Sequence, residues 1–70
     1  MKLLEFIAQA IAIHKEHGDV EVVFGDCNKM FKSNGIEACV IADLSERYLE
    51  EVHKDDNEDG LPINAAVVYG

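Results

Sequence analysis

The chain has 70 residues, of which 14 are acidic and 6 are basic, so its formal net charge is −8. A domain of this length buries only about 60% of the surface that its unfolded chain exposes, and one copy is therefore expected to be marginally stable. The scarcity of Lys and Arg argues against nucleic acid and anionic membranes as partners, because both are bound through clusters of cations.

The two cysteines and the first apolar stretch indicate the compartment. Cys27 and Cys39 lack the CxxC spacing, and Cys39 falls inside a predicted strand, where it is expected to be a small core residue. The first apolar stretch is interrupted by Glu5 and Gln9 and lacks the features of a signal peptide or a membrane span. We therefore predict a cytoplasmic protein with free thiols, although spacing alone leaves one disulfide open.

Residues 2–17 are predicted to form the one long helix, which Gly18 ends. Its large apolar side chains cover about half of the circumference, more than a helix lying on a sheet requires. One set follows alternating steps of three and four, as in a coiled-coil seam: Leu3, Phe6, Ala10 and Ile13. We expect this surplus to pack on another copy or on a partner; the alternative is that it covers the edges of the sheet.

Three later stretches show the alternating pattern of strands, at residues 19–26, 35–44 and 62–69. Residues 45–54 fit either a short helix with Ser45 as its N-cap or a strand. We prefer the strand, because it would form a hairpin with the last stretch. The sequence therefore predicts a single α+β domain over residues 1–70, with one N-terminal helix packed on a three- to four-stranded, mainly antiparallel sheet.

Both faces of the predicted sheet are apolar. The face predicted to pack on the helix consists of Val20, Val22, Phe24, Ile36, Ala38, Val40, Ile63, Ala65 and Val67. The opposite face consists of Val23, Cys39, Ile41, Leu49, Ala66 and Val68. Since water would meet one of these faces, association is expected there as well. The predicted oligomer or partner interface is Leu3, Phe6, Ala10, Ile13, Val23 and Ile41.

An acidic loop resembles half of a calcium-binding loop. Asp55, Asn57 and Asp59, followed by Gly60, match the D-x-N-x-D-G pattern that supplies oxygen ligands to a hard cation. The match fails at Ala66, where a calcium loop has a bidentate glutamate. We therefore favour a solvated hairpin loop and keep a metal site at these three residues as the alternative.

The other groups of reactive residues also give only weak evidence for a functional site. His14 and His17 lie on one helix face and could bind zinc with His53, but histidine is also favoured at the end of a helix. Cys27 beside Lys29 could be reactive, but no third group that would orient a nucleophile is evident. We predict that the protein is not an enzyme and needs no cofactor.

The connection at residues 27–34 holds the only local cluster of basic residues, with two lysines beside Met30 and Phe31. Together with Arg47, these lysines could meet phosphates across a subunit interface. The predicted ligand-binding residues are Lys29, Met30, Phe31, Lys32 and Arg47. The alternative for Phe31 is that it folds back on the core. This cluster supports a second hypothesis, a nucleotide- or metal-sequestering protein with sites between subunits.

Two sequence features carry a resemblance to a group of proteins. Residues 18–26 (GDVEVVFGD) fit a GDxxVxxxD-like strand after an amphipathic helix, and residues 64–68 (NAAVV) form a short valine-rich end. The order resembles that of small accessory proteins of phages and prophages. The resemblance implies an accessory role in a bacterial cytoplasm and assigns no site residues. The surplus apolar surface, the strong acidity, the small size and the lack of a catalytic constellation support the first hypothesis. It is a non-enzymatic protein that self-associates and binds, and inhibits, a host protein in anti-defence or host takeover.

Overall fold

The computed structural model describes residues 1–24, 30 and 32–70. Its elements are α1 (Leu3–His17), β1 (Glu21–Phe24), β2 (Gly35–Ile41), β3 (Glu51–Val52), a short 3-10 helix (Lys54–Asp56) and β4 (Ala65–Tyr69). The strand order is β1-β4-β2-β3; β1 is parallel to β4, and the other two pairings are antiparallel. The predicted α+β fold, with one N-terminal helix on a mainly antiparallel sheet, is confirmed.

The helix ends where the sequence predicts. His17 is its last residue, and the N–H of Gly18 donates a hydrogen bond to the carbonyl oxygen of His14 at 2.9 Å. Gly18 has a φ of 85°, which a residue without a Cβ adopts at no steric cost. The chain then turns into β1, which begins at Glu21, so α1 and β1 are neighbours in sequence.

The sheet has a buried cluster on each face. The cluster under α1 contains Ile36, Ala66 and Val68, with Phe6, Ile13 and Val20 packed against it. The cluster on the opposite face contains Cys39, Ile41 and Ala65, with Val23 and Val67 packed against it. Because a single helix covers one face only, the opposite face must be covered by loop segments or remain partly exposed.

The prediction for the faces of β4 is wrong. Ala65 and Val67 were expected under the helix, but Ala66 and Val68 lie there instead, and Val68 is paired with Ile36 of β2. The reason is that this stretch is apolar at every position, so alternation does not distinguish its two faces. The register of pairing with β2 makes that choice.

The strand predicted at residues 45–54 is much shorter than expected. The strand is confined to Glu51–Val52, and it pairs with β2 instead of forming a hairpin with β4. Residues before it form turns, since the carboxylate of Asp43 accepts hydrogen bonds from the N–H and the hydroxyl of Ser45 at 2.9 and 2.6 Å. These bonds lower the pKa of Asp43. They also explain why β2 ends at Ile41, before the predicted boundary.

Asn64 closes the ladder between β2 and β4, a role that the sequence analysis missed. Its side-chain oxygen accepts a hydrogen bond from the N–H of Ile41 at 2.8 Å, and its Nδ2 donates to the carbonyl of Ile41 at 2.9 Å. Its own N–H donates to the carbonyl of Cys39 at 3.2 Å. The amide thus substitutes for one more residue of strand pairing. Its position directly before β4 was visible in the sequence, but its partner was not.

Candidate interaction surface

The inner face of α1 is held to the sheet by apolar contacts and one hydrogen bond. Phe6, Ala10 and Ile13 are half-buried, and Phe6 and Ile13 contact the cluster under the helix. The side-chain oxygen of Gln9 accepts a hydrogen bond from the N–H of Ile36 at 3.2 Å. A polar helix residue therefore points toward the sheet and satisfies a backbone group of β2, which fixes the rotation of α1 about its axis.

The outer face of α1 carries a second apolar stripe. Its members are Leu3, Leu4, Ile7 and Ile11, which are 74, 80, 42 and 50% exposed. We call these four residues the outer stripe. At about 100° per residue, Leu4 and Ile11 lie about 160° and 140° around the helix from Phe6, on the side away from the sheet. Ile7 and Leu3 lie about 100° and 60° from Phe6, so the stripe runs from the outer side of the helix onto one exposed flank. Exposed aliphatic patches of several hundred Å² are uncommon on monomers and often mark binding surfaces.

Only some residues of the predicted interface are exposed in the structure. Leu3 is exposed, but Phe6, Ala10 and Ile13 belong to the inner face, as described above. On the sheet, Val23 is half-buried and Ile41 is 5% exposed, so the buried Ile41 offers no surface to a partner. Helical periodicity finds apolar sets without saying which set meets the sheet. An interface role for α1 stays a prediction, and its open part is the outer stripe.

A second open apolar surface lies on β1. Val22 and Phe24 are 53 and 71% exposed, although they point to the same side of the sheet as α1. They remain uncovered because α1 packs mainly over β2. A groove of about 200 Å³ separates the helix from this strand; its walls include Ala10, His14 and Val22. The predicted packing of Val22 and Phe24 under the helix is therefore wrong.

Arg47 lies near β1, with which it shares a cleft. Its guanidinium carbon is 5.6 Å from the centroid of the Tyr48 ring, a distance suited to a cation–π contact. Both residues line a shallow cleft of about 580 Å³, together with Leu49 and all three residues from Val22 to Phe24. The predicted ligand-binding role of Arg47 stays a prediction.

The remaining residues predicted to bind a ligand are only partly described. Met30 and Lys32 are exposed, while Lys29 and Phe31 lie outside the described residues. Another cleft, of about 430 Å³, lies beside β3 and is lined mainly by Ala38, Val40, Val52, Leu61 and Ile63, with His53 and Lys54 among its polar residues. Neither Lys32 nor Arg47 lines this cleft. The basic residues predicted to bind a ligand are therefore not part of this apolar cleft.

In the acidic loop, the side-chain amide of Asn57 forms hydrogen bonds with the backbone of the same loop. Asn57 accepts a hydrogen bond from the N–H of Leu61 at 2.9 Å and donates one to its carbonyl at 3.0 Å. Asp55 and Asp59 are exposed. Across residues 1–24, 30 and 32–70, no group of three His, Cys, Asp or Glu side chains is placed to hold a metal ion. The exposed carboxylates agree with the predicted solvated loop. The predicted hairpin is wrong, because β3 before the loop pairs with β2 and not with β4 after it.

Cys39 is a free thiol in the core, as predicted. Burial raises the pKa of this thiol, and the charges of Glu51 and Glu37 raise it further. The neutral form therefore dominates at neutral pH, where a thiol is a poor nucleophile. Cys27, the other predicted reactive thiol, lies outside the described residues.

The raised pKa of Cys39 makes stability fall at alkaline pH. The unfolded chain loses the thiol proton near the usual pKa of 9.0, while the folded chain holds it to higher pH. Between these values the folded state binds more protons, so the free energy of unfolding decreases as pH rises. We expect the difference between the wild type and Cys39→Ala to shrink as the pH rises through and above 9.0 in urea titrations under reducing conditions. A constant difference would contradict the assignment, since other titrating groups cancel in the comparison.

Comparison of the chain with protein-family models, with curated proteins and with solved structures found no match. In the part of the chain that the structure describes, no helix has the length and apolarity needed to cross a membrane.

Proposed function

We propose that this chain is a non-enzymatic binding protein that self-associates and that binds, and inhibits, a protein of a bacterial host. The observation that carries the proposal is the outer stripe of α1, where four aliphatic side chains are exposed to water. Leaving this surface in water gives no benefit to a small domain, whereas covering it with a partner removes apolar area from water. The bacterial host follows from the resemblance to phage accessory proteins.

The spacing of the outer stripe suits a recognised mode of binding. Leu4, Ile7 and Ile11 are separated by steps of three and four, which places their side chains along one line of the helix. Helices with such anchors bind by laying this line into an apolar groove of the partner. Because the chain has a formal charge of −8, the groove is expected to have a neutral or basic rim. The host protein that fits best is thus one with an apolar groove and a basic surround.

Placing a carboxylate on the outer stripe should abolish capture of the host protein. We expect immobilised wild-type protein to retain one major protein from a bacterial lysate, and Leu4→Glu or Ile11→Glu to retain at least about tenfold less, which corresponds to about 1.4 kcal/mol. The reason is that the partner would have to bury an unpaired charge. Retained protein is measured by quantitative mass spectrometry, with circular dichroism to verify the helix.

Ala12→Glu is the matched control, because Ala12 is exposed on α1, lies outside the outer stripe, and gains the same charge. Equal capture by all variants, or none by the wild type, would contradict the host-binding half of the proposal. Self-association is tested separately by light scattering. A wild type that keeps a mass of 7.8 kDa at every concentration would contradict that half.

A further inference from the structure

One edge of the sheet ends in an open strand. β1 stands first in the strand order, and among the described residues β4 is its neighbour on one side and no strand pairs with the other. The N–H of Glu21 donates toward β4, to the carbonyl of Asn64 at 3.4 Å. Since alternate residues of a strand direct their backbone groups to opposite sides, the N–H and C=O groups of Val22 and Phe24 point to the open edge.

This short edge strand lacks two of the residues that commonly prevent pairing with another chain. Natural edge strands commonly carry lysine, proline or a bulge, and Glu21–Phe24 contains no lysine and no proline. The two residues with outward backbone groups are the same two whose apolar side chains are exposed, Val22 and Phe24. An added strand would therefore gain backbone hydrogen bonds and apolar contacts at the same positions.

We propose that β1 pairs antiparallel with β1 of a second copy, about a two-fold axis perpendicular to the sheet. This inference rests on the self-association in the proposed function and names the surface that produces it. The pairing joins two four-stranded sheets into one continuous sheet. The added strand is β1 of a second copy, because in an antiparallel arrangement the outward backbone groups and exposed side chains of β1 match those of an identical strand.

The register follows from the backbone directions. Backbone hydrogen bonds across the axis must join residues with outward groups, so Val22 lies opposite Phe24 of the second copy, and Phe24 lies opposite its Val22. Val23 then faces its own equivalent at the axis. Within Glu21–Phe24, this is the register that uses both outward residues of each copy. Pairs of aromatic and β-branched residues are favourable across antiparallel strands.

The same register avoids contact between like charges. Each copy has a formal charge of −8, so association at random surfaces is opposed. Glu21 is the charged residue of β1, and in this register it lies beyond the last apolar pair, so the two glutamates stay apart. The two-fold axis also places both α1 helices on the same side of the joined sheet. Both outer stripes then lie on one side of the joined sheet, which favours bivalent binding.

The test exchanges the apolar pair for an ion pair. Val22→Lys alone and Phe24→Glu alone each place a charge against an apolar residue, and each should weaken dimerisation at least about tenfold in sedimentation equilibrium. The double variant Val22→Lys/Phe24→Glu places opposite charges across from each other in both pairs, and its formal charge equals that of the wild type. We expect it to regain the dimer. An equimolar mixture of the two single variants should form the mixed dimer in native mass spectrometry.

Each other result overturns the inference. If the wild type is oligomeric and neither single variant weakens it, β1 is not the interface; loss of association in Leu4→Glu would then assign it to the outer stripe, and the proposed function would survive. If both singles weaken association but neither the double variant nor the mixture restores it, the register is wrong. A monomeric wild type overturns both the inference and the self-association. Both substituted side chains are exposed, and recovery by the double variant shows that neither change prevents folding.

Discussion

Replacing Asn64 by alanine is expected to lower the free energy of unfolding by about 3 kcal/mol, because it leaves two backbone groups of a buried residue without partners. The amide of Asn64 satisfies both the N–H and the carbonyl of Ile41, at 2.8 and 2.9 Å, and Ile41 is 5% exposed. Water cannot easily replace the amide there. Urea titration of the wild type and the variant, followed by circular dichroism, measures the difference.

Asn57→Ala is the matched control for this effect. Asn57 makes the same pair of hydrogen bonds to the backbone of Leu61, but both bonds are exposed in the acidic loop. Water can satisfy the freed groups, so the expected loss is below about 1 kcal/mol. Similar losses in the two variants would show that burial of Ile41 is not what makes the Asn64 bonds important.

Phe6→Ala is expected to cost about 2 kcal/mol, whereas Leu4→Ala should change the free energy of unfolding by less than about 0.5 kcal/mol. Phe6 contacts the cluster of Ile36, Ala66 and Val68, and its partial exposure places the loss below that of a fully buried aromatic residue. Leu4 is 80% exposed on the outer stripe. Helix propensity opposes the expected difference, because phenylalanine is a poorer helix former than leucine and alanine therefore gains more at position 6.

The comparison is best made at low protein concentration, where self-association contributes least to apparent stability. A larger loss for Leu4→Ala than for Phe6→Ala under those conditions would mean that α1 packs on the sheet with the opposite face. The outer stripe would then be the core face, and the proposed binding surface would lose its basis. The same pair of variants therefore tests both the fold and the surface.

The two open surfaces have different requirements for a partner. The outer stripe offers side chains only, because the backbone of α1 is hydrogen-bonded within the helix, and it suits a groove in another protein. The edge of β1 offers backbone groups as well, and it therefore suits a strand. This difference is why we assign the host protein to α1 and the second copy to β1.

The sequence determined those features that depend on local interactions. The 3.6-residue periodicity and Gly18 predicted α1 to within one residue, and alternation placed β1, β2 and β4 within the predicted stretches. It also showed that α1 has more apolar surface than its sheet contact needs. These features follow from side-chain spacing and backbone preference, which act between residues close in the chain.

Only the tertiary structure decided which apolar set of α1 meets the sheet, which face of β4 lies under the helix, and that β3 pairs with β2. Each choice depends on contacts between residues far apart in sequence, such as Gln9 with Ile36 and Asn64 with Ile41. Where every position of a strand or two sides of a helix are apolar, periodicity gives equivalent solutions, and strand register selects among them. The exposed outer stripe and the open edge of β1 are consequences of that selection.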